Sequence, residues 1–333
     1  MRLFGCIVFV ALLLFSTYSS ADLSEKYLTS HQRSCMENYN LNDRLEPIAV
    51  NFDYAMALME GDENCKIEKN PALAVQIFHK YVDSCTDGNT SGCEHLDHAM
   101  FGLGEIYKNG EGVPKDYNKA FEWYKKTAAI HEDIWVDLAL ADSFYFGMGT
   151  KQNHAKALEW YLKAIDAGRE AIKNDPTGEL RTKERYSDNL NKAWRMVALM
   201  YMEGLGTQQD AAQAAQWYTL AADEGDTFSQ GQLGYYYKDK EDYVTAAKWF
   251  LAAAKNGDAG AQGNIGYFYY QGTGVPKNYI EAYAWLTIAA AAGIQDSNKL
   301  LGIIKNFETQ MTRTELIEAQ RRAKHITSEI STH

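Results

Sequence analysis

The sequence predicts an all-α fold, a right-handed α/α superhelical solenoid of about six helix-turn-helix repeats with a C-terminal capping helix. Three observations predict it. A unit with fixed aliphatic, glycine and tryptophan positions recurs through most of the chain. Only 5 prolines occur in 333 residues, and alanine and tyrosine are plentiful. No alternation of β-branched and polar residues, as strands would show, stands out, so the composition favours helix.

The first 21 residues predict a secretory signal peptide that precedes the repeats. Arg2 forms a short basic region, an apolar run extends over residues 3–15, and small residues occupy positions 19–21. The apolar run is too short for the alternative, a membrane-anchoring helix. We therefore expect cleavage after Ala21, loss of Cys6 with the signal, and a periplasmic or secreted protein.

The charge of the chain limits its partners. The formal net charge is -11, and removal of Arg2 with the signal makes it -12. An acidic protein repels phosphate backbones and anionic lipid headgroups, so nucleic acid and membrane surfaces are not expected as ligands. The charge fits solubility or a basic protein partner.

Four copies of the repeat align without gaps. In each copy an aliphatic residue lies 20 positions before a tryptophan. The aliphatic residues are Leu103, Leu140, Val197 and Ile265, and the tryptophans are Trp123, Trp160, Trp217 and Trp285. A fifth copy places Trp249 only 16 positions after Leu233, and we expect it to keep both helices and lose the bulge between them. Residues 52–83 form a sixth, degenerate copy.

Each copy predicts a helix A, a glycine-rich turn and a helix B. In helix A a small residue directly follows the aliphatic residue and lets the neighbouring helix approach closely. An aromatic residue lies four positions after the aliphatic residue, on the same face of the helix. A Gly-x-Gly pair then ends helix A and adopts positive φ. Without a preceding strand or a suitably spaced lysine, these pairs do not indicate phosphate loops. Helix B carries an apolar strip (Ala120, Trp123 and Ala128 in one copy), and we expect its tryptophans in the core. The Gly-x-Gly pairs of the four copies are Gly110/Gly112, Gly147/Gly149, Gly204/Gly206 and Gly272/Gly274.

The regions outside the regular repeats give the domain boundaries. We expect an N-terminal helix over residues 22–45, the repeats over 46–294, and capping helices over 295–333. An insertion over 169–188 lengthens the flanking helices, with a break near Pro176. Thr312 and Glu315 form a capping box for the terminal helix, which a repeat array needs to cover its last apolar face.

These repeats resemble the Sel-1-like repeat family, which is related to the tetratricopeptide solenoids. The resemblance extends over roughly residues 50–325. It implies a protein-binding scaffold without a cofactor, and it says little about a particular activity. The copy that carries the family pattern most fully does so at Ala99, Leu103, Gly104, Tyr107, Gly110, Gly112, Val113, Asp116, Ala120, Trp123, Tyr124 and Ala128.

By analogy with tetratricopeptide grooves, the resemblance implies a concave protein-binding surface formed by helix A. Its exposed positions would lie two before and two after the aliphatic residue, and one after the aromatic residue. Tyr, Met and Arg, which protein interfaces favour, are frequent in this set. The alternative is that some of them pack against neighbouring helices. The positions hold Phe101, Glu105, Lys108, Leu138, Asp142, Tyr145, Arg195, Leu199, Met202, Tyr235, Lys238, Tyr267 and Tyr270.

Four cysteines remain after signal cleavage, an even number typical of disulfides in exported proteins. The repeat register places Cys85 at the end of one helix B and Cys93 at the start of the next helix A, and cysteine-rich members of the family are similar there. We expect a Cys85–Cys93 disulfide, leaving Cys35 and Cys65 to join the N-terminal helix to the first repeat.

Motifs for catalysis or metal binding are scarce. H-E-x-x-H, C-x-x-C and G-x-S-x-G do not occur. Residues 187–189 spell S-D-N, as in β-lactamases and penicillin-binding proteins, but S-x-x-K and K-T-G are missing. Cys93, His95 and His98 are alternative metal ligands only if Cys85 stays reduced. Asn89 begins a formal glycosylation sequon. We expect no metal, no cofactor and no enzymatic activity.

Three hypotheses for function follow. The first is an exported, non-enzymatic solenoid scaffold that binds a protein partner in its concave groove. The alternative is a periplasmic immunity protein that neutralises a secreted bacterial toxin, for example a phospholipase effector, as the family includes such proteins. A β-lactamase-like or penicillin-binding activity is the third hypothesis.

Overall fold

The computed structural model describes residues 47–61, 68–86, 93–174, 180–293 and 297–330, and these residues form fourteen α-helices and no strand. The signal peptide, the helix at 22–45, the Cys35–Cys65 bridge and Asn89 lie outside the described residues. The chain divides into two compact units, residues 1–132 with 148–151, and residues 133–147 with 152–333.

The first unit contains two helix pairs. Helix α1 (Pro47–Glu60) packs against α2 (Pro71–Thr86), and α3 (Leu96–Asn109) packs against α4 (Tyr117–Ile130). Helix α2 also contacts α3, so Phe52, Phe78 and Leu103 share one core. The degenerate first copy is therefore a helix pair, as the sequence predicts.

The second unit contains four more helix pairs and two terminal helices. Each pair has the predicted helix A, turn and helix B, and the prediction of an all-α fold with six such repeats is confirmed. The pairs are α5 (Ile134–Phe146) with α6 (His154–Lys173), α7 (Leu180–Glu203) with α8 (Ala211–Asp223), α9 (Thr227–Asp239) with α10 (Tyr243–Lys255), and α11 (Ala259–Gln271) with α12 (Tyr279–Ala291). Helices α13 (Ser297–Gln310) and α14 (Arg313–Ile330) both pack against α12.

Within a pair, the small residue of helix A allows a helix B side chain to reach the core. A Cβ on Gly104 would overlap the ring of Tyr124, and one on Gly266 would lie 2.8 Å from Leu286 Cγ. These side chains follow the tryptophan by one position and are fully buried, whereas Trp123 is only partly buried. The expectation that the tryptophans form the core is therefore met by Trp285, which is 1% exposed, but not by its counterparts. They lie at the core margin, since the next residue points more directly at helix A.

The Gly-x-Gly turns have the predicted positive φ at all eight glycines. The first glycine ends helix A, as where the Gly110 amide donates to the Ile106 carbonyl at 2.8 Å. The second allows close contact with the preceding repeat. A Cβ on Gly206 would overlap the backbone between His154 and Ala155, so glycine is required by sterics as well as by φ.

The short fifth repeat behaves as its sequence predicts. Helix α9 ends at Asp239, and α10 begins at Tyr243 after a three-residue turn. Glu241 has φ 61° in this turn, a left-handed conformation that costs a non-glycine residue conformational energy. The Asp242 carboxylate accepts the Thr245 amide and caps α10.

Consecutive repeats of the second unit are joined by buried glutamines. Gln230 Nε2 donates to the Ala222 carbonyl at 3.1 Å, and Gln262 Nε2 donates to the Ala254 carbonyl at 3.2 Å. Each bond satisfies a carbonyl near the end of helix B with a side chain from the next helix A. Because the bond is buried, it helps to fix the position of each helix A on the preceding repeat.

The insertion and the C-terminal region follow local signals. The insertion extends α6 to 20 residues and α7 to 24, as predicted, and residues 175–179 between them lie outside the described ranges. At the start of α14, Glu315 Oε2 accepts the Thr312 amide at 2.8 Å, and the Glu315 amide donates to Thr312 Oγ1 at 3.3 Å. The predicted capping box is therefore formed.

Candidate protein-binding surface

In the second and third repeats, a carboxylate on helix A accepts a hydrogen bond from the buried tyrosine that follows the tryptophan. In the second repeat the Tyr124 hydroxyl donates to Glu105 Oε1 at 2.6 Å. In the third repeat the Tyr161 hydroxyl donates to Asp142 Oδ1, also at 2.6 Å. Burial and the Asp142 carboxylate raise the pKa of Tyr161 well above its usual value. The hydroxyl therefore remains a donor, and the helix A carboxylate is held in place.

The fourth repeat has lost the carboxylate but kept the tyrosine. Leu199 occupies the helix A position, while Tyr218 is fully buried. No described residue hydrogen-bonds to the Tyr218 hydroxyl. Burial, with Glu203 and Asp226 nearby, raises the pKa of this phenol. A buried donor without a partner is uncommon and marks this repeat as locally under-satisfied.

The fifth and sixth repeats change both members of the pair. Tyr235 and Tyr267 occupy the helix A position, and the facing core residues are Phe250 and Leu286, which have no hydroxyl group. The Tyr235 ring meets Phe250 edge-on with ring centroids 5.1 Å apart. The surface position thus becomes aromatic where the core no longer requires an acceptor.

The two tyrosines are exposed but held in defined positions. Tyr235 is 41% exposed and Tyr267 is 36% exposed. Asn264 Nδ2 donates to the Tyr235 hydroxyl at 3.1 Å, and Gln271 Nε2 donates to the Tyr267 hydroxyl at 3.0 Å. A large side chain that is already fixed loses little conformational entropy on binding.

Most of the other predicted groove positions are half-buried. Tyr270 packs against Phe307 and Tyr279, with ring centroids 5.5 Å and 6.1 Å away, so it supports the terminal helices as well as the surface. Lys238 lies over the Tyr235 ring at 5.8 Å. The half-buried positions are Phe101, Glu105, Lys108, Asp142, Tyr145, Arg195, Leu199, Met202, Lys238 and Tyr270.

Leu138 does not belong to this surface. The analogy places it in the groove, but it is 4% exposed and shares a core with Leu190. The lengthened α7 packs against α5, so the side chain is covered. The prediction for Leu138 is therefore wrong, because the insertion alters the packing of this repeat.

A cavity of about 670 Å³ lies in the second unit. It is formed by α7, the turn between α8 and α9, and the start of α11. Of its residues, the sequence analysis placed only Arg195 in the binding groove. An aspartate directly before helix A recurs at Asp226 and Asp258 and could have pointed to the cavity. Its charged residues are Asp188, Lys192, Arg195, Glu224, Asp226 and Asp258.

Both cations of the cavity are paired with carboxylates. Arg195 Nη1 lies 2.8 Å from Asp226 Oδ2, and Lys192 Nζ bonds to Asp142 Oδ2. Asp226 and Asp258 also cap their helices by accepting the Ser229 and Ala261 amides. Among the described residues that line the cavity, four are carboxylates and two are cations.

Cys85, near the end of α2, and Cys93, just before α3, form the predicted disulfide bond. Cys85 and Cys93 are joined with their Cα atoms 5.7 Å apart. The Cys93 sulfur is therefore not available as a thiolate ligand in this structure. His95 stacks on Phe52 at 4.8 Å, and His98 Nδ1 bonds to Asp97 Oδ1 at 2.9 Å. In the part of the chain that the structure describes, no three His, Cys, Asp or Glu residues cluster as a metal site would require.

The pKa of Asp97 is set by burial and by its neighbour His98. Burial raises the pKa of Asp97, but the hydrogen bonds from His98 outweigh burial and hold the pKa below its ordinary value.

Residues 187–189, which spell S-D-N, lie within the long helix α7. None of the described helices is both long enough and apolar enough to cross a membrane.

The fold and this surface define a class, the tandem helix-turn-helix repeat proteins. Within that class the chain belongs to the Sel1 repeat family, whose repeat matches residues 49–80, 97–129, 137–168, 193–226, 228–258 and 259–294. The match covers most of the described residues. Family membership gives the type of protein, an interaction scaffold, and leaves the partner open.

Individual relatives are similar over different extents. A Sel1-like repeat-containing protein of Acanthamoeba polyphaga mimivirus is 47% identical over 47 residues, which span 14% of this chain and only 9% of that protein. The crystal structure of a Sel1 repeat protein from Oxalobacter formigenes is 25% identical, covers 82% of this chain and 100% of its own, and has a TM-score of 0.54. Immunity protein Pa5087 from Pseudomonas aeruginosa is 19% identical over 75% of this chain and 84% of its own, with a TM-score of 0.29.

Proposed function

We propose that this protein is an exported, non-enzymatic scaffold that binds a protein partner through the exposed face of its helices A. Sel1 repeats are of the protein-interaction type, which supports binding as the general activity. The predicted groove positions, apart from Leu138, supply the contact residues. We expect the partner to carry a net positive surface, because the formal net charge of -11 becomes -12 when Arg2 is lost with the signal.

One observation carries this proposal, the exposure of Tyr235 and Tyr267 on successive helices A. An exposed aromatic residue that is fixed by a side-chain hydrogen bond is the type of residue that dominates interface energetics. Both hydroxyls are so fixed, at 3.1 Å and 3.0 Å. Neither ring is needed to fill the core beneath it, since each remains more than one third exposed.

The Cys85–Cys93 bond supports an oxidising location. It joins the end of one helix B to the start of the next helix A in the first unit. A disulfide at this place is consistent with export by the signal peptide predicted for residues 1–21. Determination of the N-terminus of the protein secreted by its source tests the cleavage after Ala21.

The binding proposal is tested by photocrosslinking followed by affinity measurement. A benzoylphenylalanine at Tyr267 should crosslink one protein from the exported fraction of the source organism. The same probe at Lys248, exposed on helix B, is the control. The captured protein is then purified, and its Kd is measured for the wild type and for Y235A/Y267A.

We expect Y235A/Y267A to raise the Kd about tenfold or more, because each buried interface tyrosine contributes over ~1 kcal/mol. The matched control is L220A/V244A, which removes two exposed apolar side chains from helix B. Tyr270 is left unchanged, since its packing on Phe307 is structural. An unchanged Kd in the tyrosine variant, or equal weakening in the control, would contradict the proposal.

The immunity hypothesis is the case in which the captured partner is a secreted toxin. It requires that the partner be toxic and that the purified complex lack the toxic activity. A partner without toxic activity would exclude the immunity hypothesis, and the proposal of a protein-binding scaffold would remain.

A further inference from the structure

We infer that the junction between the first two repeats is a pH-sensitive joint, in which the end of α3 separates from α2 when His79 takes up a proton. His79 lies on α2, the helix B of the first repeat, and its side chain contacts α3 and α4 of the second repeat. The inference concerns the first unit alone. It goes beyond the proposed function, because the joint needs no partner.

Helix α3 is attached to α2 at two places of different chemistry. Just before its start, the Cys85–Cys93 disulfide joins the two helices covalently. Near its end, His79 Nε2 lies 3.1 Å from the Tyr107 hydroxyl, within hydrogen-bond distance. A proton does not alter a disulfide, whereas a protonated imidazole can only donate and is no longer an acceptor. Acid can therefore release the end of α3 while its start stays attached.

Two aromatic rings of the second repeat pack against the imidazole. Its ring centroid lies 6.1 Å from that of Tyr107, which is buried, and 5.4 Å from that of Trp123. His79 itself is half-buried. Helix α2 also packs against α1, where Phe52 meets Phe78 with ring centroids 5.9 Å apart. A charge on the imidazole would therefore lose part of its hydration in the closed joint.

Two lysines from α4 lie over the same two rings. Lys119 Nζ is 4.9 Å from the centre of the Tyr107 ring, and Lys126 Nζ is 4.1 Å from the centre of the Trp123 ring. A protonated His79 would be a third positive charge in this cluster, and it would repel both lysines. The cluster therefore adds a charge penalty to the loss of hydration.

One carboxylate acts in the opposite direction. Asp83 lies one turn further along α2 and would attract a protonated His79, but it is exposed, so water and salt weaken that attraction. Burial is the largest influence, and together with the two lysines it outweighs Asp83. The pKa of His79 therefore lies below its ordinary value of 6.5 in the closed joint.

The direction of the pH dependence follows from this shift. When the joint opens, the imidazole is hydrated and its pKa returns to the ordinary value. The open form therefore binds a proton more readily than the closed form, and the closed form is fully favoured only above pH 6.5. As the pH falls through 6.5, the fraction of open joints should rise.

Opening would displace residues of the candidate binding surface. Glu105 and Lys108 flank Tyr107 on α3, and both are predicted groove positions. The Glu105 carboxylate also accepts the Tyr124 hydroxyl of α4 at 2.6 Å. Regulation of binding by pH rests on the proposed function, whereas the joint itself does not.

Amide hydrogen exchange of the purified, oxidised protein at pH 7.5 and pH 5.5 tests the inference. Exchange rates are corrected for their intrinsic pH dependence, so that they report the opening equilibrium. A peptide over residues 104–109 reports on the end of α3, and one over 96–101 reports on its start. The variants are H79Q, which cannot titrate in this range, and Y107F, which lacks the hydroxyl. The control is H325Q, which removes an exposed imidazole from α14.

In the wild type, we expect opening at 104–109 to increase by up to about tenfold between the two pH values, because pH 5.5 is about one unit below the pKa of the open form. Opening at 96–101 should change less than about twofold. H325Q should behave like the wild type, and H79Q should lose the increase. Y107F should open more than the wild type already at pH 7.5.

Several results would overturn the inference. An unchanged rate at 104–109 in the wild type would mean that protonation does not open the joint, and an equal increase in H79Q would assign the pH dependence to another group. An equal increase at both ends of α3 would mean that acid destabilises the whole unit. Wild-type exchange in Y107F at pH 7.5 would mean that the hydrogen bond does not hold the helix end. Because no partner is present, each of these results leaves the proposed function standing.

Discussion

The pairing of helix B tyrosines with helix A carboxylates leads to a direct comparison of two hydroxyl deletions. Tyr161 and Tyr218 occupy the same repeat position and are both fully buried. The Tyr161 hydroxyl donates to Asp142 at 2.6 Å, whereas no described residue accepts from Tyr218. The variants Y161F and Y218F therefore remove the same atom from opposite environments.

The two variants should change the free energy of unfolding by different amounts and in different directions. A hydrogen bond to a charged group contributes about 1.5–3 kcal/mol, so Y161F should lower the free energy of unfolding by about 2 kcal/mol. Y218F removes a buried polar group without losing a bond, so it should be neutral or raise the stability by up to ~1 kcal/mol. Tyr124, which donates to Glu105 at 2.6 Å, should behave like Tyr161.

Urea unfolding followed by circular dichroism measures both variants. The midpoints are compared at unchanged m-values, so that the shift reports stability and not a change in the exposed surface. A destabilisation by Y218F as large as that by Y161F would refute the reasoning, because it would mean that deletion of the hydroxyl costs the same whether or not a carboxylate accepts a hydrogen bond from it.

Three further predictions follow from the first unit. Burial lowers the pKa of His79 below its ordinary value of 6.5, so the protonated form is disfavoured in the folded state. The free energy of unfolding should therefore fall as the pH decreases through about 6.5. H79Q should abolish that pH dependence, as measured by thermal melting at a series of pH values. G104A should destabilise by about 1–3 kcal/mol by overpacking, while G102A, whose Cβ would meet nothing within 4 Å, should stabilise by up to ~1 kcal/mol in the same urea assay. Reduction of the Cys85–Cys93 disulfide should lower the free energy of unfolding by about 2–3 kcal/mol, because it removes a constraint on the unfolded chain. Melting with and without a reductant measures this change. A thiol titration that found both cysteines free in the exported protein would contradict the bond.

Features that depend on a few neighbouring residues could be predicted from the sequence. The glycine turns follow from positive φ, which other residues adopt only at a cost, and all eight have it. The capping box of Thr312 and Glu315 follows from the spacing of the two residues along one helical turn. The repeat register likewise brought Cys85 and Cys93 together, because it fixes where helix B ends and the next helix A begins.

Features that depend on several helices at once could not be predicted in the same way. The tryptophan and the residue after it are both large and apolar, and only the angle between helices A and B decides that Tyr161 is buried more deeply than Trp160. Leu138 has the same repeat position as the half-buried Phe101 and Arg195, but α7 covers it completely. Position within a repeat therefore predicts exposure only where the neighbouring repeats are regular.

By itself, the sequence determined the family, the six helix pairs and the turns that separate them, since each rests on local periodicity and backbone preference. Tertiary structure alone decided that Asn191 and Glu224 line the same cavity as the recurring Asp226 and Asp258. It also decided that the Tyr218 hydroxyl is left without a described partner. The physical reason is that hydrogen-bond satisfaction and charge excess belong to groups brought together from different helices, and no spacing along the chain records those distances.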